Sequence, residues 1–598
     1  MAKAMAATAK RKLARITETL EPQAAALAEP LIADAHAEDL AGLDDDLLAG
    51  TVALAARTVA GHGGSGSLVD AQTMTDATGR PLAMLAIVNE NKPFLFDSVL
   101  GEINAASSAV EFVVHPVLDI HHQDDGFEVI DKARPGMALQ QTTRTSVIAA
   151  VVAGLDKGRT EELVQRIGAT LDQVAAAVRD WRAMLDRLDA IVAELEGGVL
   201  PARKSDVKEA LEFLHWLRED NFTFLGIREY DFVGGEKRGK LQRADRPALG
   251  ILSDPEVRIL RRGDDPVTTT PEIRAFLNSR DVLIVTEANL KSVVHRRTYM
   301  DYVGIKRYDD KGKLTGETRI VGLFTSTAYT RSVLRIPYIR SKIEAVIKRS
   351  HHDPDSHSGK ALLNVLESYP RDELFQIEVP ALTRHAEAIV ALADRPRVRV
   401  LSRIDAFDRF VSIIVFVPRD QYDSDIRERI SAYMAEMYDG HVSAFYPAFP
   451  EGQLARVHII IGRRKGKTPT PTQASLERGV AAIIRSWQDA LHDAIVEAGL
   501  GINGDLFAFP ESYRDTVPTE QALSDLAFID AINARNPMAV DFHRDETDAE
   551  HRASLRVFHA DEPVALSERV PLLENMGFRV IAELTYRIGC EASDEERP

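Results

Sequence analysis

The chain has 598 residues, enough for about four domains at the usual domain size. Its 45% hydrophobic and 27% charged residues describe an ordinary globular protein. With 73 Lys and Arg against 91 Asp and Glu, the net charge is −18; such a chain is repelled by phosphate backbones and anionic lipid, which excludes nucleic acid and membrane surfaces as expected partners.

The one cysteine, Cys590, can form neither an intrachain disulfide nor a Cys-rich zinc site, as expected of a cytoplasmic protein. The longest apolar runs, Val147–Leu155 and Val411–Val417, fall well short of the roughly 20 residues a membrane span needs. At the N-terminus Lys3, Lys10, Arg11 and Lys12 are followed by Glu18, Glu21 and Glu29 rather than an apolar stretch, so a helix is expected there and not a signal peptide.

Residues 1–60 have helical spacing, and Gly61–Ser67 reads as a linker. Leu82–Val88 is a strand. Asn91-Lys92-Pro93 then signals a helix start, with Phe96, Val99, Leu100 and Ile103 on one helical face. Phe112–Ile120, Phe127–Ile130 and Thr145–Val152 are expected strands, and about 161–196 a long helix. A second block opens with a helix ending near Asp220. Strands are expected over Phe222–Phe232, Val282–Thr286, Thr298–Ile305 and Thr318–Thr325, and a helix over Arg331–Arg349. In the third block, strand Arg409–Val417 ends at Pro418. Ser424 can cap a helix with apolar positions Ile426, Ile430, Tyr433, Met434 and Met437, and Gly440 stops it. Strands Val442–Tyr446 and Leu454–Ile461 and a helical stretch over 470–535 follow. The last block offers strand Leu555–Phe558, helix Ser567–Met576 and strand Phe578–Tyr586, then an acidic tail.

Recurring strand–helix–strand–strand patterns predict an α+β protein of several ferredoxin-like units joined by helical segments. Each unit would carry helices on one face of an antiparallel sheet. The last unit reads as incomplete, and its open sheet edge calls for a partner from outside this sequence.

Motifs for catalysis fail on context. Gly499-Leu500-Gly501-Ile502-Asn503-Gly504 has the spacing of a dinucleotide fingerprint, but a helix leads into it where a strand is required. His351-His352-Asp353-Pro354-Asp355-Ser356-His357 reads as an interhelical loop rather than a metal site, and His121-His122 beside Asp124-Asp125 is a weaker case. The run Arg463-Arg464-Lys465-Gly466-Lys467 is read as a solvated linker, with an anion site as its functional alternative. No Ser-His-Asp or P-loop pattern stands out. Catalytic, cofactor-binding and metal residues are therefore expected to be none.

Several long runs resemble the large NAD-specific glutamate dehydrogenases of bacteria. They are Asn89–Val99 (NENKPFLFDSV), Asn221–Gly226 (NFTFLG), Val294–Tyr302 (VHRRTYMDY), Tyr369–Gln376 (YPRDELFQ), Val417–Asp420 (VPRD) and Leu573–Gly577 (LENMG). The resemblance implies that the ferredoxin-like units are ACT-type βαββαβ domains from the N-terminal part of a longer subunit. It implies that the complete enzyme converts glutamate and NAD to 2-oxoglutarate, ammonium and NADH in amino-acid catabolism. On this reading the NAD- and glutamate-binding domains follow the region covered here, so this chain alone is expected to lack activity. Gly234-Gly235-Glu236-Lys237 matches the GG-x-K signature around the active-site lysine of common glutamate dehydrogenases. It sits in an apparent hairpin turn, where a lysine is not desolvated.

The expected organisation is a helical segment and linker over 1–75 and a first ACT-like domain over 76–160. A helical connector over 161–204, a second ACT- or PAS-like α+β domain over 205–350 and another connector over 351–395 follow. A third ACT-like domain spans 396–467, a helical segment 468–545, and an incomplete ACT-like unit with the tail 546–598. Expected partners are the catalytic domains of the same enzyme, further copies of the chain in a homo-oligomer, and an amino-acid effector. The effector is expected at the strand-to-helix turns of the first and third units: Asn89, Asn91 and Lys92, and Arg419, Asp420 and Ser424. A helix N-terminus with a nearby cation suits a carboxylate, and Asp420 can take an ammonium group. The alternative is a purely structural oligomerisation scaffold.

Overall fold

The computed structural model describes residues 2–590 except 34, 77, 108, 124–125, 131–141, 234–239, 258, 260, 263–264, 267–270, 464–465, 503–506, 534, 545–550 and 561–564. Four helices lead the chain: Ala2–Thr17, Pro22–Ile32, Ala37–Gly42 and Asp45–His62. They cover one face of the first sheet, which is antiparallel. Its strand order is Ser67–Thr75, Pro81–Glu90, Thr142–Ala153, Val117–Gln123, Gly126–Val129, with Val110–Val114 also paired to Thr142–Ala153.

The apolar run of Pro81–Glu90 has a physical cause: both of its faces are covered. Ala83, Leu85 and Ile87 pack with Leu95, Val99 and Ile103 of helix Leu95–Ala106 and Leu163, Ile167 and Leu171 of helix Lys157–Arg179. Leu82, Met84, Ala86 and Val88 pack with Leu27, Leu31, Leu48, Val52 and Val59 of the leading helices. The expectation of helices on one face only is therefore wrong for this unit.

The second sheet is antiparallel, in the order Leu283–Lys291, Tyr299–Tyr308, Leu314–Phe324, Phe222–Val233, Lys240–Arg243, with Leu249–Gly250 also on Phe222–Val233. One face shares the core of helices Leu95–Ala106 and Lys157–Arg179 through Leu225, Met300, Tyr302, Val321 and Leu323. That helix layer is thus sandwiched between the two sheets. The other face packs Ile227, Val285, Val303, Ile305 and Ile320 against Trp181–Gly197, Lys204–Trp216, Ile339–Ser350 and Val379–Asp394.

The third sheet has the order Arg399–Ile404, Phe410–Pro418, Leu454–Arg463, Gly440–Ala448, all antiparallel. Helices Ser424–Met437 and Gln473–Ile484 cover one face through Ile430, Met434, Leu476 and Val480. The first and third units share one topology. In both, the strand beside the first strand of the expected βαββαβ order precedes it in the chain (Ser67–Thr75 and Arg399–Ile404), so the order is strand–strand–helix–strands–helix. The fold class, small antiparallel sheets with ACT-type helices, stands; the fourth strand enters from the other end of each unit.

The last block forms a hairpin, Met538–His543 with Ser554–His559, and a helix, Leu566–Asn575. Phe578–Tyr586 is not a strand, although its residues alternate in type. No described residue on the hairpin or that helix is fully buried. Other differences are local. Arg331–Arg349 is broken by Pro337 into the turn Val333–Arg335 and helix Ile339–Ser350. The long helix over 161–196 is two, Lys157–Arg179 and Trp181–Gly197, meeting at Asp180.

Candidate functional site

The six residues expected to hold a ligand are dispersed over two units. Asn89 is 2% exposed at the end of its strand, and its amide donates to Ser67. Asn91 does not cap a helix: its backbone N–H donates to Arg144 O at 2.8 Å, and the helix starts only at Leu95, capped by Phe94 in a left-handed conformation (φ 71°). Lys92 pairs with Glu90 at 3.2 Å. In the third unit Asp423, not Ser424, is the cap; its Oδ1 accepts from Ile426 N at 2.8 Å, and Ser424 is the first helical residue. Arg419 donates its backbone N–H to Gln453 O at 2.8 Å, and its guanidinium lies 5.4 Å from the Phe449 ring centre. Asp420 is exposed in the intervening turn Arg419–Gln421.

Gly499 has φ 65°, its N–H donates to Val496 O at 3.1 Å, and Leu500 N donates to Ile495 O at 3.2 Å. These bonds close helix Trp487–Glu497, so residues 499–502 terminate a helix. Asn503 and Gly504 lie outside the described residues, as do Gly234–Lys237, Asp124 and Asp125. His351 ends one helix in the left-handed region, and Ser356 caps the next through Gly359 N at 3.1 Å, as an interhelical loop requires. Arg463 is no solvated linker residue: it is 5% exposed, and it donates to Tyr438 O, to Asp439 O and to Thr468 Oγ1, the last at 3.1 Å. Arg464 and Lys465 are not among the described residues. No three His, Cys, Asp or Glu side chains come together as a metal site among the described residues.

Three of the six family-like runs, Asn89–Val99, Val294–Tyr302 and Tyr369–Gln376, lie at joints between units. Asn89–Val99 docks on Val294–Tyr302. Asp97 meets His295 Nδ1 at 3.0 Å, Ser98 Oγ accepts from His295 N at 2.9 Å, and the Phe94 and His295 rings lie 5.0 Å apart. One turn on, Glu102 is held between Arg166 and Arg297, each at 2.6 Å, with its side chain 3% exposed. This joint ties the first unit to the second sheet.

Tyr369–Gln376 forms the second joint, between the second sheet and the third unit. Glu373 and Arg403 make a bidentate pair at 2.7 and 2.8 Å. Arg409 grips Asp405 at 2.7 and 3.0 Å and also donates to Thr286 Oγ1 at 2.9 Å, and Thr286 donates in turn to Gln376 Oε1 at 3.1 Å. Asp372 accepts from Tyr329 OH at 2.9 Å, and Tyr369 OH meets His385 Nδ1 at 2.9 Å. Burial alone would raise the Glu373 carboxyl, but Arg403 beside it overrides that and holds it near 2. Burial and the neighbouring Asp372 push Glu287 up to about 8, and burial followed by Asp372 raises Asp301, its cross-strand neighbour. Burial lowers His385 and His458 to about 4, and His458 Nε2 meets Ser412 Oγ at 2.8 Å.

The sequence reading missed these joints. Charged residues inside otherwise apolar periodic stretches, such as Glu102 and Arg403, are the signal that could have found them.

Family models match residues 27–167 (glutamate dehydrogenase, ACT1 domain), 336–395 (glutamate dehydrogenase, helical motif 1), 399–488 (ACT2 domain) and 537–597 (ACT3 domain). The NAD-specific glutamate dehydrogenase of Halomonas elongata is 34% identical over 527 residues, 85% of this chain and 32% of the relative. That of Pseudomonas aeruginosa is 31% identical over 512 residues, 84% of this chain and 31% of the relative. The protein of that name from Mycobacterium tuberculosis is 26% identical over 526 residues. The chain spans about a third of the length of these relatives.

Proposed function

We propose that this chain, which carries the ACT regions of glutamate dehydrogenase and resembles NAD-specific enzymes of that kind, is their regulatory and assembly region. In this reading it forms the N-terminal part of a cytoplasmic, oligomeric subunit. NAD and glutamate react in the remainder of that subunit, giving 2-oxoglutarate, ammonium and NADH. One observation supports the reading: the units are tied to one another by buried charge pairs, Glu102 with Arg166 and Arg297 and Glu373 with Arg403, and three of the family-like runs lie at these joints. Joined units pass a strain or a binding event from one to the next as a body, which a regulatory region must do.

The test has two parts. The isolated chain is expected to show no glutamate-dependent NADH formation and no calorimetric heat with NAD; a micromolar NAD affinity or turnover overturns the proposal. Titration with an amino-acid panel separates a regulatory region from a scaffold. Heat that falls in Lys92→Ala or Arg419→Ala places an effector at the strand-to-helix turns. Heat unchanged in both variants moves the site elsewhere. No heat favours the scaffold, a reading supported by Lys92 pairing with Glu90 and Arg419 lying on Phe449.

The apolar hairpin and helix at 538–575 give the assembly role a surface. Val540, Phe542, Leu555 and Val557 are 53%, 57%, 39% and 37% exposed. By register Val540 opposes Val557 and Phe542 opposes Leu555, so the four share one face of the hairpin. In the first and third units that place is covered by a further strand and helix. A catalytic region or a second subunit supplies that cover here.

A further inference from the structure

Ser326–Ser350 is a basic stretch of an acidic chain. It carries Arg331, Arg335, Arg340, Lys342, Lys348 and Arg349 against the single acid Glu344. It lines an open cleft of about 810 Å³ whose walls are Arg331, Ser332, Leu334, Arg335 and Arg340. No carboxylate lines it. The nearby acids are bound to other wall residues, not to Arg331 or Arg335: Glu367 accepts from Ser332 Oγ at 2.5 Å and Val333 N at 3.1 Å, and Glu209 and Glu212 hold Arg340. Arg331 and Arg335 make no ion pair among the described residues and are exposed. Behind the cleft, Arg371 donates through Nη2 to Arg331 O and Tyr329 O, while its Nη1 is buried without a partner and the residue is 9% exposed. The cleft is preformed. Val333, Ile336 and Ile339, all fully buried, pin its wall to the core, so an incoming anion does not pay to order it.

We propose that this cleft binds a small polyanion with two or more oxyanion groups, a phosphate ester or a polycarboxylate, between the Arg331 and Arg335 guanidinium groups. Planar guanidinium forks match carboxylate and phosphate bidentately. The inference does not depend on the amino-acid turns at Lys92 and Arg419.

The test is calorimetry of the full chain at low salt with inorganic pyrophosphate and, separately, citrate. Saturable binding of at least one is expected, weakened by added NaCl because exposed charges are screened. Arg335→Ala should lose roughly tenfold or more in affinity, equivalent to about 1.4 kcal/mol, and the double Arg331→Ala/Arg335→Ala variant should bind neither anion. Arg335→Lys, which keeps the charge but not the fork, should fall between. Arg182→Ala, which removes an exposed guanidinium beside Trp181, should bind as the parent does. Binding of pyrophosphate alone assigns a phosphate ester, of citrate alone a polycarboxylate, and of both the shared chemistry. Melting curves show whether each variant is folded. No heat with either anion overturns the inference. So does affinity unchanged in the double variant, or an equal loss in Arg182→Ala.

Discussion

Glu102 shows how a single side chain can serve two units. Its carboxylate is 3% exposed and meets Arg166 within its own unit and Arg297 from the second sheet, each at 2.6 Å. Both arginines are partly exposed, so solvent screens part of the gain, yet removing the buried charge strands two oriented guanidinium groups. Glu102→Gln is expected to cost about 2 kcal/mol, read as a lower urea midpoint at unchanged slope. The buried titrating groups set the pH response. His385 and His458 are held neutral with folded pKa values of about 4, below the ordinary 6.5. Their contribution is fully present above pH 6.5, where both states are neutral. It is lost as pH falls toward 4, because the unfolded chain takes up the protons first. Each can cost up to roughly 3 kcal/mol across that window. Glu287 acts in the opposite direction. Its folded pKa of about 8 exceeds the ordinary 4.5, so its contribution is complete below pH 4.5 and is lost as pH rises through 8. Glu287→Gln should therefore raise the melting temperature at pH 8 and leave it nearly unchanged at pH 5. Equal shifts at both pH values would show that Glu287 does not carry that charge cost.

At the scale of elements, apolar periodicity located most strands and helices, because the burial that makes an element also writes its period. Phe222–Phe232 was expected and Phe222–Val233 is found; Thr298–Ile305 was expected and Tyr299–Tyr308 is found. Where the signal fails, the reason is local. Ser67–Thr75 is an edge strand with no fully buried residue, so its pattern is weak, and the glycines before it suggested only a linker. Phe578–Tyr586 alternates like a strand but forms none, since a strand needs a hydrogen-bonded neighbour and not only a pattern. The candidate site was less legible than the fold. Asn91 and Ser424 have the chemistry of caps, but cap position is set by where the chain turns, and a shift of one to three residues hands the role to Asp423 and Phe94. The long-range pairs, such as Glu373 with Arg403, leave no spacing to read. The cap assignment has a direct check. Asp423→Ala should cost about 1 kcal/mol, since it frees the Ile426 N–H, whereas Ser424→Ala should cost under about 0.5 kcal/mol. The reverse order in urea denaturation would return the cap to Ser424.

At the scale of the whole molecule, the joints divide the chain into a coupled body and a loosely held end. One apolar core runs from helix Leu95–Ala106 and the first sheet into the second sheet; another runs from the second sheet through Val379–Asp394 to Leu401, Ile414 and Phe416 of the third. Opening one unit there exposes apolar surface and unpaired charges of its neighbour, so the three units should open together. The hairpin Met538–His543 with Ser554–His559 has no such tie to the cores: none of its residues is fully buried. It is held to the helix Thr519–Asp530 by Arg556, which pairs with Asp525 and, within the hairpin, with Asp541. Local opening free energy follows buried apolar contact, from near zero at loose ends to the global value in core strands. Hydrogen exchange by mass spectrometry should therefore show slow, mutually similar exchange for peptides covering 81–90, 222–233, 299–324 and 410–418. Peptides covering 538–543 and 554–559 should exchange orders of magnitude faster. Arg403→Ala should speed exchange at 399–404 and 371–376 together, because Glu373 loses its partner and the third unit its grip on the second. If 538–559 proves as protected as the central strands in the isolated chain, its apolar face is already covered, by a second copy if the protection depends on concentration. If Arg403→Ala leaves 371–376 unchanged, the Glu373–Arg403 pair does not couple the units.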